Sequence, residues 1–280
     1  MPRVPPIVSI DDLGRYPHAV LADVRWYLDG RSGRAAYEAG HLPGAVFVDL
    51  ERDLTRHDLP ATAGRHPLPT PEAFATAMSA LGIGDDSMVI AYDDSGGVTA
   101  GRLVVMLRMI GREAAVLDGG LDAWEGELLS GEGAVPEPLE FTPQQWPVDR
   151  LADADEAAAL ARRGDSVVLD ARAFERFTGE VTLIDPRPGH IPGATSAPWS
   201  AVLDPSTGRF QTPAALRRYF QELGINGDTT VVAYCGSGVS ACMNILAMEH
   251  ADLAPARLYV GSWSGWSADP ERHVEMGAGR

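Results

Sequence analysis

The chain contains an internal repeat that limits how it can fold. The motif GHLPGA, which begins at Gly40, recurs as GHIPGA from Gly189, 149 positions later. A Thr-Pro pair with a following amphipathic segment begins at Thr70 and recurs from Thr212, 142 positions later. The difference of seven residues indicates an insertion in the first copy, between Asp53 and Thr70. Two copies of a unit this long within 280 residues predict duplicated domains rather than a solenoid.

Each copy alternates short apolar runs with amphipathic segments. The apolar runs are 20–24, 88–92 and 114–117 in the first copy and 167–170, 230–234 and 257–260 in the second. Helical periodicity covers 72–81, 100–110, 155–163, 214–223 and 241–250. Short apolar runs bounded by Gly, Pro and Asp are typical of buried parallel strands. The sequence therefore predicts an α/β fold in which each domain is a parallel sheet with helices on both faces.

The boundary between the copies is marked by composition. Residues 131–150 are rich in Gly, Pro and Glu and have no clear period, so we expect a linker there. The predicted N-terminal domain is then 1–130 and the C-terminal domain 151–280.

The most informative local feature is a cysteine between a strand and a helix. The run that ends at Tyr234 leads into the loop CGSGVSA, which begins with Cys235, and a helical segment follows at once. Gly236 and Gly238 allow the backbone to turn successive N–H groups inward, and the helix start adds partial positive charge. We expect a cradle that favours the thiolate, and hence a nucleophile. A buried structural cysteine with tight-turn glycines is the alternative.

Neighbouring residues refine this interpretation. Ser237 and Ser240 supply the polar side chains of the loop, and Val239 completes it. We expect Ser237 to assist proton movement or bind substrate, the alternative being a turn hydroxyl. Ala241 occupies the position where a cysteine-dependent phosphatase needs a phosphate-binding arginine, which argues against phosphoryl transfer. Cys242 lies within the predicted helix, where we expect it to pack against apolar neighbours.

The first copy carries Asp93 at the position of Cys235. Its loop is longer and contains a second carboxylate, Asp94. The first copy therefore cannot form a persulfide, and we expect its loop to repel anions. Metal binding by the two aspartates is less favoured than ordinary turn chemistry. The sequence predicts a non-catalytic N-terminal domain that packs against the active one and walls its cleft.

Composition excludes several classes of function. The net charge of −16 disfavours nucleic acid and anionic membranes as partners. The chain has no lysine, which excludes a Schiff-base lysine and a Walker-type phosphate loop. Its two cysteines imply no disulfide framework, and no signal peptide or membrane-spanning stretch is evident. A reducing compartment, the cytoplasm, is the expected location.

Taken together, these motifs resemble those of tandem-domain rhodanese-type sulfurtransferases. The loop CGSGVSA is similar to the CGSGVTA loop of the 3-mercaptopyruvate sulfurtransferase branch, with Ser240 in place of threonine. The paired GHLPGA and GHIPGA motifs fit the same family over nearly the whole chain. Further matches are DAR from Asp170, RF from Arg176, DPRPG from Asp185 and GSWSGW from Gly261. The stretch between Arg176 and Arg187 is slightly longer than in the family pattern.

The resemblance implies a reaction and its substrates. Cys235 would take sulfur from 3-mercaptopyruvate as a persulfide and pass it to cyanide or to a thiol such as thioredoxin or glutathione, without cofactor or metal. Thiosulfate as the donor is the main alternative, and a non-enzymatic rhodanese module that binds partners or carries sulfur is another.

The resemblance also nominates residues outside the loop. Arg176 and Arg187 would hold the carboxylate of the donor, because a guanidinium binds a carboxylate in a two-pronged way. Surface ion pairs are their alternative role. In the first domain, His41 and Asp29 would contribute to the active cleft, although a turn-capping role for His41 is equally compatible with its motif.

Overall fold

The computed structural model describes residues 4–133, 135–182 and 184–279 and divides them into two compact units. The first unit comprises the described residues up to Arg56, together with Leu68–Trp146 and Thr207–Arg209. The second comprises His57–Pro67, Pro147–Ser206 and the described residues from Phe210. The boundary between the two units falls after Trp146, within the predicted linker. The outer bounds of the predicted domains, residues 1 and 280, lie outside the described residues.

The first unit contains one five-stranded sheet. Its strands are β1 (Ile7–Val8), β2 (Val20–Asp23), β3 (Val46–Phe47), β4 (Val89–Tyr92) and β5 (Ala114–Leu117). They lie in the order β1-β5-β4-β2-β3, and all pairs are parallel. Its helices are α1 (Gly33–Ala39), α2 (Leu50–Asp53), α3 (Pro71–Ala80) and α4 (Val98–Met109).

The second unit repeats this topology. Its strands are β6 (Leu151–Ala152), β7 (Ser166–Asp170), β8 (Thr195–Ser196), β9 (Thr230–Tyr234) and β10 (Arg257–Tyr259). Their order is β6-β10-β9-β7-β8, again parallel throughout. Its helices are α5 (Ala154–Leu160), α6 (Phe174–Thr178), α7 (Pro213–Glu222), α8 (Ala241–His250) and α9 (Ser262–Ala268). The predicted pair of α/β domains with parallel sheets is confirmed.

One segment differs from the simple division into consecutive domains. Residues 57–67, which lie between β3 and β4 in sequence, belong to the second unit. Gly265 allows a close approach there, because an added Cβ atom would lie 2.6 Å from the carbonyl oxygen of Thr62. The backbone of α9 therefore packs directly against this segment.

A buried ion pair is duplicated along with the sheet. The guanidinium of Arg25 binds both carboxylate oxygens of Asp23 and donates to the Gly40 carbonyl at 2.7 Å. The second unit repeats this arrangement with Arg172, Asp170 and Gly189. Each ion pair links the last residue of β2 or β7 to the glycine that begins the repeated motif.

The histidine of the repeated motif has a packing role in each unit. The ring of His41 stacks on Tyr37 with 4.0 Å between ring centroids, and its Nδ1 atom lies 2.9 Å from the Tyr37 carbonyl. His190 stacks on Phe177 in the same way, at 3.7 Å, and bonds to its carbonyl. Duplicated packing therefore explains the repeated sequence.

The described helices are short. The longest, α4, has 12 residues, and none is long and apolar enough to cross a bilayer.

Candidate active site

Cys235 lies at the carboxyl end of β9, a strand flanked by β10 and β7. Its side chain is buried, and α8 begins six residues later at Ala241. In a parallel sheet, the carboxyl ends of strands are where loops form binding sites. The predicted strand, loop and helix around this thiol are therefore all present.

The loop directs one backbone N–H group toward the sulfur. The Gly238 N–H donates to Sγ of Cys235 at 3.2 Å, with Gly238 at φ 78°, a conformation that favours glycine. On the other side, the carbonyls of Cys235 and Gly236 accept hydrogen bonds from the N–H groups of Trp263 and Ser264, both at 2.9 Å. The Gly238 N–H is therefore placed to stabilise negative charge on the sulfur.

A histidine contacts the loop beside the thiol. The Nδ1 atom of His66 lies 2.8 Å from Oγ of Ser237, two residues after Cys235. Both side chains are buried, and both belong to the second unit. A hydroxyl and an imidazole in hydrogen-bond contact can pass a proton, so this pair is suited to general acid–base chemistry.

Two guanidinium groups lie close to Gly236 of the loop. A Cβ atom added to Gly236 would lie 3.0 Å from Nη2 of Arg65 and 3.1 Å from Nη2 of Arg176. The carboxylate of Asp185 joins them, since its Oδ1 accepts from Arg65 at 2.7 Å and its Oδ2 from Arg176. The predicted Arg176 therefore lies next to the thiol loop, together with a second arginine that was not predicted.

The remaining predicted loop residues occupy ordinary backbone positions. Val239 is buried, and Ser240 is half-buried at the N-terminal cap of α8 without a side-chain capping bond. Cys242 is fully buried within α8, where its Sγ lies 3.5 Å from the Gly238 carbonyl. A catalytic role for Ser240 stays a prediction.

Arg187 contacts the backbone in this structure, and its role toward the donor stays a prediction. Its guanidinium donates four hydrogen bonds to backbone carbonyls at the end of α9 and beyond. The acceptors are Trp266, Ser267, Asp269 and Arg272, at 2.7 to 3.2 Å. These bonds satisfy carbonyls that a helix end leaves open, so Arg187 acts as a helix cap. The two guanidiniums beside Gly236 are those of Arg65 and Arg176.

His41 and Asp29 make their contacts within the first unit. His41 is buried in the stack on Tyr37, while Asp29 is exposed and pairs with Arg31 at 2.9 Å. Neither contact indicates chemistry, and their participation in substrate binding stays a prediction. The histidine that contacts the thiol loop is His66.

The first unit holds an anion of its own at the equivalent loop. The buried carboxylate of Asp93 accepts five hydrogen bonds, from four backbone N–H groups and one hydroxyl. The donors are the N–H groups of Ser95, Gly97, Thr99 and Ala100 and the Thr99 hydroxyl, at 2.8 to 3.0 Å. The loop is an anion cradle that the side chain of Asp93 itself fills, and its repulsion of external anions stays a prediction.

Across residues 4–133, 135–182 and 184–279, no group of three or more His, Cys, Asp and Glu side chains is placed to hold a metal ion. Asp94, the second aspartate of the first loop, instead accepts a hydrogen bond from the Tyr27 hydroxyl at 2.6 Å.

Sequence reasoning missed Arg65, His66 and the role of Asp185. A signal was present, because the seven extra residues of the first copy lie before Thr70 and have no counterpart in the second. An insertion without a counterpart is a candidate for a function that the two copies do not share. The segment 57–67 contributes two side chains, those of Arg65 and His66, that contact the thiol loop.

Comparison with known proteins identifies the family of both domains. A model of the rhodanese-like domain matches residues 11–127 and 153–269. Over 269 residues the chain is 42% identical to the probable 3-mercaptopyruvate sulfurtransferase of Pseudomonas aeruginosa, with 93% of each chain covered. It is 40% identical over 265 residues to the putative thiosulfate sulfurtransferase SseB of Mycobacterium tuberculosis, covering 92% of this chain and 90% of that one.

A solved structure shows the same fold. The crystal structure of the 3-mercaptopyruvate sulfurtransferase SseA from Escherichia coli superposes with a TM-score of 0.81 and 31% sequence identity. The match covers 93% of this chain and 99% of that one.

Proposed function

This chain belongs to the rhodanese-like domain family, and we propose that it is a sulfurtransferase that carries sulfur as a persulfide on Cys235, with 3-mercaptopyruvate as donor. The observation that carries the proposal is the placement of this thiol. The Gly238 N–H lies 3.2 Å from Sγ, and the His66–Ser237 pair and two guanidiniums border the same loop. Relatives named for this activity support the choice of donor.

The first half-reaction moves one sulfur atom. The Cys235 thiolate attacks the donor sulfur, an Sγ–S bond forms and the donor C–S bond breaks. The electron pair of the broken bond passes to carbon and gives the enolate of pyruvate. The proton that the donor thiol carried ends on that carbon, so pyruvate leaves without any external oxidant or reductant.

Ser237 and His66 provide a route for this proton. Their contact at 2.8 Å is within the range for proton transfer in a general acid–base pair. Since Ser237 lies two residues from the sulfur, its hydroxyl can pass the proton from the donor thiol toward the carbon that becomes the methyl group.

The second half-reaction returns the enzyme to its thiolate form. An acceptor thiolate or cyanide attacks the outer sulfur, the Sγ–S bond breaks and its electron pair returns to Cys235. The product is a persulfide or thiocyanate. Thioredoxin, glutathione and cyanide are the acceptors that we propose to test.

We place the reaction in a reducing compartment, the cytoplasm. Both cysteines are free thiols, and a thiolate nucleophile requires reduced cysteine. Recovery of the protein with the cytoplasmic fraction of its cells tests this location.

Thiosulfate is the second candidate donor. The relative from Mycobacterium tuberculosis carries that name, and Arg65 adds positive charge beside the loop. With thiosulfate, the thiolate attacks the outer sulfur and sulfite leaves with the electron pair of the S–S bond.

Steady-state assays distinguish the candidates. Pyruvate release from 3-mercaptopyruvate is measured beside thiocyanate formation from thiosulfate and cyanide, for the wild type and for Cys235→Ser. We expect a kcat/KM at least about tenfold higher for 3-mercaptopyruvate. A preference for thiosulfate would assign the second donor, and turnover by Cys235→Ser would remove the persulfide mechanism.

A further inference from the structure

Ser262, the first residue of α9, has a backbone conformation that serine rarely adopts. Its φ is 52°, in the left-handed region that favours glycine. Among the residues that the structure describes, the other non-glycine residue with a positive φ is Asp252. Asp252 is exposed just beyond the end of α8, and aspartate is one of the residues that tolerate this conformation. Ser262 is fully buried, so its strained backbone has a different cause.

The hydroxyl of Ser262 connects the reactive cysteine to the neighbouring strand. Its Oγ accepts a hydrogen bond from the N–H of Cys235 at 3.2 Å and donates to the carbonyl of Tyr259 at 2.9 Å. Cys235 directly follows β9, and Tyr259 is the last residue of β10, the adjacent strand. One side chain therefore satisfies two buried backbone groups at the ends of two strands.

The residue after Ser262 holds the other backbone group of the cysteine. The N–H of Trp263 donates to the carbonyl of Cys235 at 2.9 Å. The conformation of Ser262 thus directs its own side chain and the following N–H to the same residue. As a result, both backbone groups of Cys235 are bound by two consecutive residues of α9.

The first unit provides an internal comparison. Gly120 precedes Ser262 by 142 positions, as Asp93 precedes Cys235. Gly120 has a φ of 55°, and the next N–H, that of Leu121, donates to the Asp93 carbonyl at 2.8 Å. The two units therefore share this backbone arrangement. In the first unit, however, a Cβ atom added to Gly120 would lie 2.3 Å from the Asp93 carbonyl oxygen, so no serine fits there.

Serine at this position is therefore confined to the unit that carries the thiol. Glycine adopts the conformation without strain, as it does at Gly120, yet the unit with the nucleophile has serine. The hydroxyl is the polar group that serine adds, and it binds the N–H of the nucleophilic residue itself. Strain that is retained at one position of a fold points to a functional constraint at that position.

We propose that Ser262 is a positioning residue for Cys235, whose hydroxyl fixes the backbone of the cysteine so that its sulfur stays directed at the Gly238 N–H. A single torsion angle places Sγ relative to the Cys235 backbone, so a small shift of that backbone changes the 3.2 Å contact between Sγ and this N–H. Misplacement of a nucleophile by a fraction of an ångström is enough to slow its reaction. The proposal deepens the function proposed above and rests on it.

A purely structural role is the competing interpretation. In that case the hydroxyl only satisfies two buried backbone groups, and its loss lowers stability while the folded protein reacts at the wild-type rate. In a positioning role, the folded protein itself reacts more slowly. Reactivity measured on folded protein therefore separates the two interpretations.

Alkylation of Cys235 by iodoacetamide tests the proposal without any sulfur transfer. Ser262→Ala removes the hydroxyl and keeps a Cβ atom in the strained conformation, whereas Ser262→Gly removes the hydroxyl and relieves the strain. We expect both variants to alkylate Cys235 about tenfold more slowly than the wild type, as the loss of one hydrogen bond implies. The urea midpoint should nevertheless be higher for Ser262→Gly than for Ser262→Ala. A wild-type alkylation rate in folded Ser262→Gly would overturn the proposal.

The matched control is Ser267→Ala in the same helix. The hydroxyl of Ser267 is buried and donates to the Trp263 carbonyl at 2.7 Å. Its removal deletes a buried serine hydroxyl from α9 without removing a bond to Cys235. We expect its alkylation rate to stay within about twofold of the wild type. An equal fall in Ser267→Ala and Ser262→Gly would show general loosening of α9 and contradict a specific role for Ser262.

Steady-state turnover distinguishes positioning from substrate binding. In Ser262→Gly, kcat for 3-mercaptopyruvate should fall about tenfold while KM stays within about twofold, because the hydroxyl acts on the nucleophile rather than on the donor. A raised KM with unchanged kcat would assign Ser262 to substrate binding and overturn the positioning role.

The two proposals can fail separately. If the wild type moves sulfur from neither donor, the sulfurtransferase proposal fails, while the alkylation rates still decide whether Ser262 positions the thiol. If sulfur moves but both Ser262 variants keep wild-type alkylation and turnover, only the positioning role is wrong. Should Ser262→Ala fail to fold, Ser262→Gly still decides the question, since glycine adopts this φ without strain.

Discussion

The Nδ1 atom of His66 lies 2.8 Å from the Oγ atom of Ser237, although the two residues are 171 positions apart in sequence. The chain brings them together because the segment 57–67 packs with the second unit. A relay that depends on both groups should behave as one unit when either is removed.

We therefore predict that His66→Gln and Ser237→Ala each lower kcat for 3-mercaptopyruvate by about 10²-fold, the usual contribution of general acid–base catalysis. The double variant should be little worse than either single one. Single-turnover pyruvate release measures all three. Ser206→Ala, in an exposed loop, provides a control for the loss of a hydroxyl. Fully multiplicative effects would show that the two groups act independently.

Arg187 should matter for stability rather than for donor binding. Its four bonds to carbonyls around the end of α9 are lost in Arg187→Ala. We expect the free energy of unfolding to fall by about 2 kcal/mol, measured by urea denaturation. The kcat/KM of the folded variant should remain within about twofold of the wild type. A large selective loss with 3-mercaptopyruvate would return Arg187 to the donor site.

Asp93 should stabilise the first unit by filling its cradle. Asp93→Ala leaves four N–H groups without their acceptor, three of them in buried hydrogen bonds, which should cost about 3 kcal/mol. Sulfate should recover part of this loss by occupying the vacated cradle, so it should raise the Tm of the variant more than that of the wild type. An equal response of both proteins to sulfate would contradict an anion cradle.

Stability should depend on the protonation of His190. Burial lowers the pKa of this imidazole below its ordinary value of 6.5, although the Glu275 carboxylate lies 3.9 Å away. Below pH 6.5 the unfolded chain takes up a proton that the folded chain resists, so the contribution of His190 is present above pH 6.5 and is lost on acidification through its folded pKa. The stability difference between wild type and His190→Gln should therefore be larger at pH 7.5 than at pH 5.5. A stability difference that does not change with pH would show that protonation of His190 is not linked to folding.

Local sequence was sufficient for the fold and for the thiol loop. The apolar runs predicted β2, β4, β5, β7, β9 and β10, while the two-residue strands had too little pattern to be recognised. The family and the duplicated α/β architecture are confirmed. The environment of Cys235 was predictable because its strand, glycines and helix are consecutive in sequence.

The side chains around that loop were harder to predict because they come from distant positions. Arg65 and Asp185 are 120 residues apart, and no local period connects them. The repeat highlights His41 and His190, whose rings stack on aromatic side chains in their own units. His66 lies between Asp53 and Thr70, where the first copy is seven residues longer than the second, and no histidine stands in the corresponding part of the second copy, so the repeat could not reveal it.

The central claim is that Cys235 alone carries the transferred sulfur. The most direct test is the intact mass of the protein after treatment with 3-mercaptopyruvate and removal of excess donor, with peptide mapping of the modified site. Wild type and Cys242→Ser should each gain one sulfur atom, roughly 32 Da, on the peptide that contains Cys235, as nucleophilic catalysis through this thiol requires. Cys235→Ser should gain none. A sulfur increment on Cys235→Ser, or its absence from the wild type, would contradict the account.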